Sequence, residues 1–271
     1  METTNFIVNL TILFLFFQTY GASSNNTASS NVTCIQRERQ TLLLFRQGFT
    51  NQSNWLSRWI GLECCVWQGV VCDNRTGHIV ELDLSSNGIN STIPACLSNL
   101  TGLVHLNLEN NSFHGRIPDS IGKLSSLSNM DLSWNQLLGR IPASIGGISS
   151  LTELDLSSNQ LSSTIPVWLS NLTGLVHLNL GNNSFHGGIP DSIGNLSSLS
   201  YMDLSINQLS GPIPPSVGGL SALTWLDLSD NQLSGNIPTS LGQLSNLGLL
   251  FLYDNQLREV VSKITSPNST I

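Results

Sequence analysis

Carboxylate side chains that recur at one fixed spacing are the first residues in this sequence whose arrangement could do chemistry. One position in every 24 is held in turn by Asp83, Asn107, Asp131, Asp155, Asn179, Asp203 and Asp227. On neighbouring parallel strands Asp131 and Asp155 would lie about 4.8 Å apart, and retaining glycosidases place two carboxyl groups about 5–5.5 Å apart. Repetition on an open face explains the column better, because we expect no cleft there that desolvates one carboxyl group and raises its pKa. We therefore predict that the chain is not an enzyme.

Histidines recur in the same way, and we expect them to bind no metal. His105 and His177 are copies three repeats apart, so about 14 Å separates them on parallel strands. His114 and His186 repeat that separation, whereas the ligand atoms of a zinc site lie about 2.0–2.1 Å from one shared ion. The sequence shows no Cys/His zinc spacing, no phosphate-binding loop and no Ser-His-Asp set. We therefore predict neither a metal nor another cofactor.

The elements that must position these side chains repeat every 24 residues, in units that begin at Ile79, Leu103, Leu127, Leu151, Leu175, Leu199, Leu223 and Leu247. In residues 223–246 the unit reads LTWLDLSDNQLSGNIPTSLGQLSN. Alternating leucines predict a short strand with leucine inward and polar residues outward. The Asn at the ninth position, such as Asn231, can hydrogen-bond backbone groups of neighbouring turns. The Ile-Pro pair predicts an extended return segment on the opposite side.

Units of this kind cannot bury their leucines alone, so neighbouring units must stack around one continuous core. A period of about 20–29 residues with L-x-x-L-x-L-x-x-N spacing is the signature of leucine-rich repeats. The predicted fold is therefore an α/β solenoid, a right-handed leucine-rich-repeat superhelix with a parallel β-sheet on its concave face. A β-helix or a β-sandwich would lack this run and this register.

A longer repeat lies on top of the first, because residues 79–150 and 151–222 are near copies. The segment LSNLTGLVHLNLENNSFHG at 97–115 returns as LSNLTGLVHLNLGNNSFHG at 169–187. The duplication places Cys96 of the first copy opposite Trp168 of the second. A structural disulfide would hardly accept tryptophan, so we predict that Cys96 is a free thiol.

Charge and hydropathy bound the setting in which the chain works. Net charge is −7 and only 10% of the residues are charged, which argues against nucleic acid or an anionic membrane as a partner. An apolar run over residues 6–17 is shorter than the about 20 residues of a membrane span and predicts a signal peptide over 1–21. An uncleaved anchor is the alternative, since the segment before the run has Glu2 and no Lys or Arg. We expect a secreted, extracellular chain without a membrane span after signal cleavage.

We divide the chain into a signal peptide (1–21), a polar linker (22–33), a cysteine-containing N-terminal cap (34–78), eight repeats (79–257) and a polar tail (258–271). The cap includes a predicted amphipathic helix over 37–49, with Leu42, Leu43, Leu44, Phe45 and Phe49 apolar. Eleven Asn-x-Ser/Thr sequons beyond residue 21 agree with export. We expect glycans at Asn74, Asn90, Asn99, Asn110, Asn171, Asn182 and Asn195, and further sequons lie at Asn25, Asn31, Asn51 and Asn268.

Motifs of the cap identify a family. They read C-x-x-x-E-R-x-x-L-L-x-F, then W-x-x-x-x-C-C-x-W-x-G-V-x-C, then T-G-H-x-x-x-L-D-L, and are carried by Cys34, Glu38, Arg39, Leu42, Leu43, Phe45, Trp59, Cys64, Cys65, Trp67, Gly69, Val70, Cys72, Thr76, Gly77, His78, Leu82, Asp83 and Leu84. With the L-x-G-x-I-P element of the repeats, the chain resembles plant extracellular leucine-rich-repeat proteins over residues 34–257, and most of all the ectodomains of receptor-like proteins.

The resemblance implies an extracellular ligand-recognition module that senses ligands in immunity or development, usually with a co-receptor kinase. The chain has fewer repeats than such receptors, no C-terminal cysteine cap and no transmembrane helix, so we expect a truncated or short form. Association with the membrane is expected only if the full-length gene encodes a C-terminal span. The family also includes secreted polygalacturonase inhibitors, so the alternative function is to block a wall-degrading enzyme.

Four cysteines lie in the cap, and export permits disulfides. Adjacent Cys64 and Cys65 bond each other only with strain, which leaves two connectivities. The family resemblance favours Cys34–Cys64 with Cys65–Cys72 over the pairing of Cys34 with Cys65 and of Cys64 with Cys72.

Aromatic residues indicate where a ligand binds. Trp134 and several later aromatic residues fall at positions that we interpret as exposed on the strands, and aromatic residues are enriched in binding hot spots. Tyr201 and Trp225 fill one column on neighbouring strands, about 4.8 Å apart. Carboxylates around rings suit a peptide with a basic residue, and rings alone suit a stacked sugar. The predicted ligand site consists of Tyr201, Trp225, Asp227, Phe251 and Tyr253.

Overall fold

The computed structural model describes residues 33–49 and 58–258. The predicted signal peptide lies outside the described residues, as do the sequons at Asn25, Asn31, Asn51 and Asn268. The element order is one α-helix followed by short strands that alternate with 3-10 helices. The side chains that point inward form one continuous apolar core from the helix to the last unit.

The cap helix spans Gln36–Gln47. Its buried residues are Glu38, Thr41, Leu42 and Phe45, which share one face because they are spaced three and four residues apart. The predicted helix over 37–49 is therefore wrong at its end, since Phe49 is buried but lies beyond the last helical turn. Leu44 is also not part of the apolar face, because it points outward and is 55% exposed.

The concave face is a nine-stranded sheet in which strand order follows chain order. Its strands are Val70–Cys72, Ile79–Asp83, His105–Asn107, Asn129–Asp131, Glu153–Asp155, His177–Asn179, Tyr201–Asp203, Trp225–Asp227 and Leu249–Phe251. The first two strands pair antiparallel, and all later pairs are parallel. In every parallel pair a residue lies opposite the residue one repeat further on, as His105 lies opposite Asn129. The predicted solenoid with its parallel sheet is confirmed.

After each strand from Ile79–Asp83 onward, the chain turns and forms a second short strand. These strands are Asn90–Thr92, Ser112–Gly115, Gln136–Gly139, Gln160–Leu161, His186–Gly187, Gln208–Gly211, Gln232–Asn236 and Gln256–Arg258. They build two four-stranded sheets. The residue at the eighth position of each unit has a left-handed backbone, for example Asn110 with φ 52° and Asp254 with φ 51°.

The return side carries 3-10 helices, which the repeat pattern did not predict. They are Ala95–Asn99, Asp119–Lys123, Ala143–Gly147, Val167–Asn171, Asp191–Asn195, Pro215–Gly219 and Thr239–Gln243, and the cap adds Cys64–Val66. The proline before each repeat helix is extended, as Pro118 shows with φ −71° and ψ 139°. The Ile-Pro pair is thus extended as predicted, but the extended segment ends at the proline because a tight helix begins at the next residue.

Asparagine at the ninth position links each unit to the one before it. Asn135 donates from Nδ2 to the Leu108 carbonyl at 2.9 Å, and its Oδ1 accepts the Phe113 amide at 2.9 Å. Its Nδ2 also bonds two carbonyl groups of its own turn, those of Leu132 and Ser133. The same pair of bonds to the preceding unit recurs from Asn111 to Asn255. This asparagine ladder confirms the predicted role of the residue and holds neighbouring units in register.

Glycine permits close stacking of the 3-10 helices. A Cβ atom on Gly218 would lie 2.4 Å from the Ser240 carbonyl oxygen, and one on Gly194 would lie 2.5 Å from that of Ser216. Gly242 occupies the same repeat position, but a Cβ atom there would meet no atom within 4 Å. The two positions therefore differ only in whether a described helix stacks against them.

We expect Gly218→Ala to lower the free energy of unfolding by about 1–3 kcal/mol, because the new methyl group overpacks a backbone contact. Gly242→Ala is the matched control and should leave stability unchanged within about 0.5 kcal/mol. Urea unfolding followed by far-UV circular dichroism measures both variants. Equal midpoints for the two variants would contradict the close-stacking argument.

Candidate functional site

The cap is tied to the first repeat by a buried carboxylate. Glu38 accepts a hydrogen bond from the Ile79 amide at 2.7 Å, and its other oxygen lies 2.7 Å from His78 Nδ1. Glu38 is on the helix face that packs on the core, while the His78 side chain is 45% exposed. The Glu-Arg and Thr-Gly-His motifs of the cap therefore meet in space, which joins the helix to the first strand of the repeats.

The cap cysteines form two disulfides, Cys34–Cys64 and Cys65–Cys72, each with a Cα–Cα distance of 5.4 Å. The sulfur atoms of Cys34, Cys64 and Cys65 lie within 4.8 Å of one another. Each belongs to a disulfide, so none is a thiolate that could hold a metal ion. Cys96 is half-buried and in no disulfide, and burial raises the pKa of its thiol.

Two columns of outward side chains line the concave face, from the third and fifth positions of each unit. The third position holds Glu81, His105, Asn129, Glu153, His177, Tyr201, Trp225 and Leu249, and the fifth holds Asp83, Asn107, Asp131, Asp155, Asn179, Asp203, Asp227 and Phe251. The residues between them, such as Leu226, are buried. The alternation of the strands thus leaves two polar columns facing outward above a leucine core.

Aromatic rings form a continuous row across the later units. We call His177, Tyr201, Trp225, Phe251 and Tyr253 the aromatic strip. His177 stacks on Tyr201 with ring centroids 4.2 Å apart, and Tyr201 stacks on Trp225 at 5.6 Å. Phe251 lies 5.2 Å from Trp225 and meets Tyr253 edge to face at 6.3 Å. Ring pairs at these spacings are in favourable contact, so the strip is one preassembled surface.

The structure places the predicted ligand residues together but differs in detail. Tyr201 lies directly opposite Trp225, whereas Phe251 lies opposite Asp227 and Tyr253 follows the last strand. Trp134 is not a strand residue as we had interpreted it, because it occupies the left-handed turn position with φ 53° and is 60% exposed. His177, which the sequence suggests only as a metal ligand, also belongs to the strip, and the 24-residue period already places it in the column of Tyr201.

The carboxylates of the fifth column are each held by a serine two residues later. Ser229 donates to Asp227 Oδ1 from its amide at 2.9 Å and from its hydroxyl at 2.6 Å. Asp131, Asp155 and Asp203 have the same two donors. Asp155 also accepts from Asn179 Nδ2 at 3.0 Å. The sequence motif Asp-Leu-Ser therefore fixes one oxygen of each carboxylate and leaves the other toward the face.

Burial between the two columns raises carboxylate pKa values, contrary to our expectation for an open face. It raises the pKa of Asp131, where the neighbouring Asp155 adds to the effect, and it raises the pKa of Asp155 and Asp227 as well. Burial also lowers the pKa of His177 and raises that of Tyr201. The expectation failed because side chains of the third column cover the fifth. Asp131 and Asp155 share the paired serine donors, and Asp155 has one further donor in Asn179 Nδ2.

The sequons occupy two sides of the solenoid. Asn171 and Asn195 are exposed at the ends of 3-10 helices on the return side. Asn99 occupies the same column but is half-buried, and its Nδ2 donates to Thr41 of the cap helix at 3.4 Å. Asn110 and Asn182 are exposed in the left-handed turns beside the strands, and Asn74 and Asn90 are exposed near the cap.

This fold and this face define a repeat solenoid with an open, strand-lined face. Family models described as "Leucine rich repeat" match residues 77–137, 149–209 and 222–244, and a model described as "Leucine rich repeat N-terminal domain" matches 35–73. Together these models cover more than half of the chain. The chain belongs to the leucine-rich-repeat family. No enzyme family is indicated by these matches.

The similar proteins of known name or structure include plant receptor-like proteins and receptor ectodomains. "Receptor-like protein EIX1" of Solanum lycopersicum is 39% identical over 83 residues, which are 29% of this chain and 8% of that protein. A crystal structure of PEPR1 with AtPEP1 has a TM-score of 0.78 at 31% identity, over 82% of this chain and 32% of that one. The ectodomain of GASSHO1/SCHENGEN3 from Arabidopsis thaliana has a TM-score of 0.75 at 32% identity, over 82% of this chain and 27% of that one. The chain thus spans only a small part of the relatives it matches.

Helices that could cross a membrane are not found in the part of the chain that the structure describes.

We expect Asp131→Asn to remove a pH dependence of stability. A carboxyl group whose pKa is raised on folding stabilises the fold while protonated and loses that contribution as pH rises through the raised pKa. The variant should therefore match the wild type near pH 3.5 and melt about 2–4 °C higher at pH 7, the shift that about 1 kcal/mol produces in a chain of this size. Asn107 and Asn179 show that this column accepts asparagine. A variant that melts lower than the wild type at pH 7 would contradict the burial argument.

Proposed function

We propose that the chain is an extracellular ligand-recognition module of the receptor-like-protein type and that its ligand docks on the aromatic strip. A peptide, glycan or protein ligand would contact Tyr201, Trp225, Asp227, Phe251 and Tyr253. The role would be sensing in immunity or development, with a co-receptor kinase as a further partner. The site would need no cofactor.

Similar proteins support this proposal. The solved relative GASSHO1/SCHENGEN3 is described in complex with CASPARIAN STRIP INTEGRITY FACTOR 2. The receptor kinase HAESA, with a TM-score of 0.54 at 30% identity over 82% of this chain and 46% of that one, is described in complex with the peptide hormone IDA and the co-receptor SERK1. Proteins of the same architecture are thus described in complex with a peptide hormone and with a co-receptor.

The row of stacked rings is the observation that carries the proposal. The duplication supplies an internal comparison, since His105 of the first copy faces Asn129, whereas His177 of the second faces Tyr201. Both copies fold into the same strands, so the fold does not need the tyrosine. Rings fixed by their neighbours lose little conformational entropy when they bind, and aromatic residues dominate binding hot spots. We infer that the strip serves recognition rather than folding.

We also propose that the chain is secreted and glycosylated at exposed sequons, which the low content of charged residues would make useful for solubility. Expressed in plant cells, it should carry glycans at Asn171 and Asn195 in most molecules and at Asn99 in fewer, because the cap covers the Asn99 side chain. Glycopeptide mass spectrometry of the secreted protein measures the occupancy of each site. Bare Asn171 and Asn195 beside an occupied Asn99 would contradict the proposal.

The ligand site is tested with peptides selected from a random phage-displayed library on the immobilised chain. We expect Trp225→Ala to weaken the selected peptides by roughly 1–3 kcal/mol, a hot-spot magnitude. Tyr201→Asn, which restores the residue of the first copy, should weaken them too without disturbing the fold. His105→Ala is the control on the same column outside the strip and should change little. Equal affinities for the wild type and Trp225→Ala would refute the site.

The alternative function, inhibition of a wall-degrading enzyme, gives a different result in a simple assay. An inhibitor would reduce the activity of a fungal polygalacturonase on mixing, and a ligand-recognition module would not. No feature of the strip favours the inhibitor over the receptor type.

A further inference from the structure

We propose that the aromatic strip docks an extended peptide segment that carries arginine, with the guanidinium group seated on Asp227 beside the rings of Trp225 and Phe251. This inference rests on the proposed function and adds the chemical class of the ligand. It follows from the distribution of charge, from the free oxygen of one carboxylate and from the geometry of the rings.

Charge is distributed unevenly along the solenoid. Between Arg140 and Arg258 the sequence has no Lys and no Arg. The same stretch has seven carboxylates, which are Glu153, Asp155, Asp191, Asp203, Asp227, Asp230 and Asp254. The earlier repeats, by contrast, contain Arg116, Lys123 and Arg140. Residues 141–257 therefore present a negative field that no Lys or Arg within that stretch offsets. Such a field favours and steers a positively charged partner.

Asp227 is the carboxylate beside the rings whose second oxygen is free. Ser229 fills its Oδ1 with two hydrogen bonds, and among the described residues none donates to its Oδ2. Asp203 in the neighbouring unit differs, because its Oδ2 accepts a hydrogen bond from the Tyr201 hydroxyl at 3.5 Å. Burial raises the pKa of Asp227 against the Ser229 bonds, and Asp203 and Asp230 raise it further. A cation in contact with Oδ2 would relieve this cost of the charged form.

The rings beside Asp227 suit a planar cation. Asp227 lies directly opposite Phe251 and two residues after Trp225. The ring centroids of Trp225 and Phe251 are 5.2 Å apart. A guanidinium group is flat and weakly hydrated, so it stacks on aromatic faces while its N–H groups bond a carboxylate. A compact ammonium group makes the charge contact but not the stacking contact. The site therefore favours arginine over lysine.

A peptide fits the strip better than a small cation does. The Nε1 atom of Trp225 is buried and has no acceptor among the residues that the structure describes. Buried N–H groups are nearly always bonded, so this one indicates a missing acceptor. A peptide carries main-chain carbonyl acceptors, whereas a polyamine or a metal ion carries none.

The test uses the whole secreted chain and four probes of defined chemistry. Three are blocked nonapeptides of one Gly/Ser/Leu sequence that carry two arginines, two citrullines or two glutamates, and the fourth is cellohexaose. Isothermal titration measures each on the wild type, on Asp227→Asn and on Asp83→Asn. Asp83 is the matched control, since it has the same repeat position at the far end of the face.

We expect the arginine peptide to bind at least tenfold tighter than the citrulline peptide, which has the same shape without the charge. Asp227→Asn should weaken the arginine peptide about tenfold, or about 1.4 kcal/mol, and abolish its advantage over citrulline. Asp83→Asn should change neither affinity. The glutamate peptide should not bind measurably.

Three results would overturn the inference. The first is equal affinity for the arginine and citrulline peptides, and the second is tighter binding of cellohexaose than of the arginine peptide. The third is a dissociation constant of the arginine peptide above about 1 mM. Trp225→Ala separates this failure from that of the proposed function. If it weakens the citrulline peptide or cellohexaose, the strip remains a ligand site of another class. If it weakens no probe and no selected peptide, both proposals fail.

Discussion

The asparagine ladder is the constraint on which the rest of the structure depends. Each ladder asparagine donates to a carbonyl of the preceding unit and accepts an amide from it, as Asn231 does with Leu204 and Leu209. A unit with one residue more or fewer would lose both bonds and leave buried polar groups unpaired, at about 1–3 kcal/mol for each group. The period is therefore held constant, and every side chain has a fixed neighbour one repeat away. The leucine core provides most of the stability, while the ladder sets the register in which the core packs.

Because the register is fixed, substitutions at the same position of neighbouring units lie side by side and form one surface. Each residue of a column lies between the residues one repeat before it and one repeat after it. Two aromatic residues at neighbouring positions of one column are therefore close enough to stack. The duplicated units illustrate this, because Tyr201 stands in the second copy where the first has Asn129, and its ring joins those of His177 and Trp225. The same register aligns the carboxylates that surround the rings. The outward surface of this molecule is thus organised in columns. The cap, held by Glu38 and two disulfides, shields the first unit of the core.

Much of the architecture could be predicted from the sequence because its period is strict. The solenoid, the parallel sheet and the pairing of Tyr201 with Trp225 all follow from counting residues. What counting could not supply depends on side-chain directions and local backbone. The 3-10 helices and the left-handed turn at Trp134 are of this kind. The raised pKa values of the half-buried Asp131 and Asp155 escaped prediction because they depend on how side chains pack in three dimensions. The identity of the ligand could not be predicted, because the repeat determines the positions of the side chains and not the molecule that binds them.

The central claim is that the aromatic strip, and no other exposed aromatic surface, contacts the ligand. Hydroxyl-radical footprinting by mass spectrometry tests it directly, because oxidation of aromatic side chains reports their access to solvent. With a saturating selected peptide, the account predicts slower oxidation of Tyr201, Phe251 and Tyr253 and unchanged oxidation of Trp134, which is exposed outside the strip. Protection of Trp134 with no change at Tyr201, Phe251 and Tyr253 would contradict it.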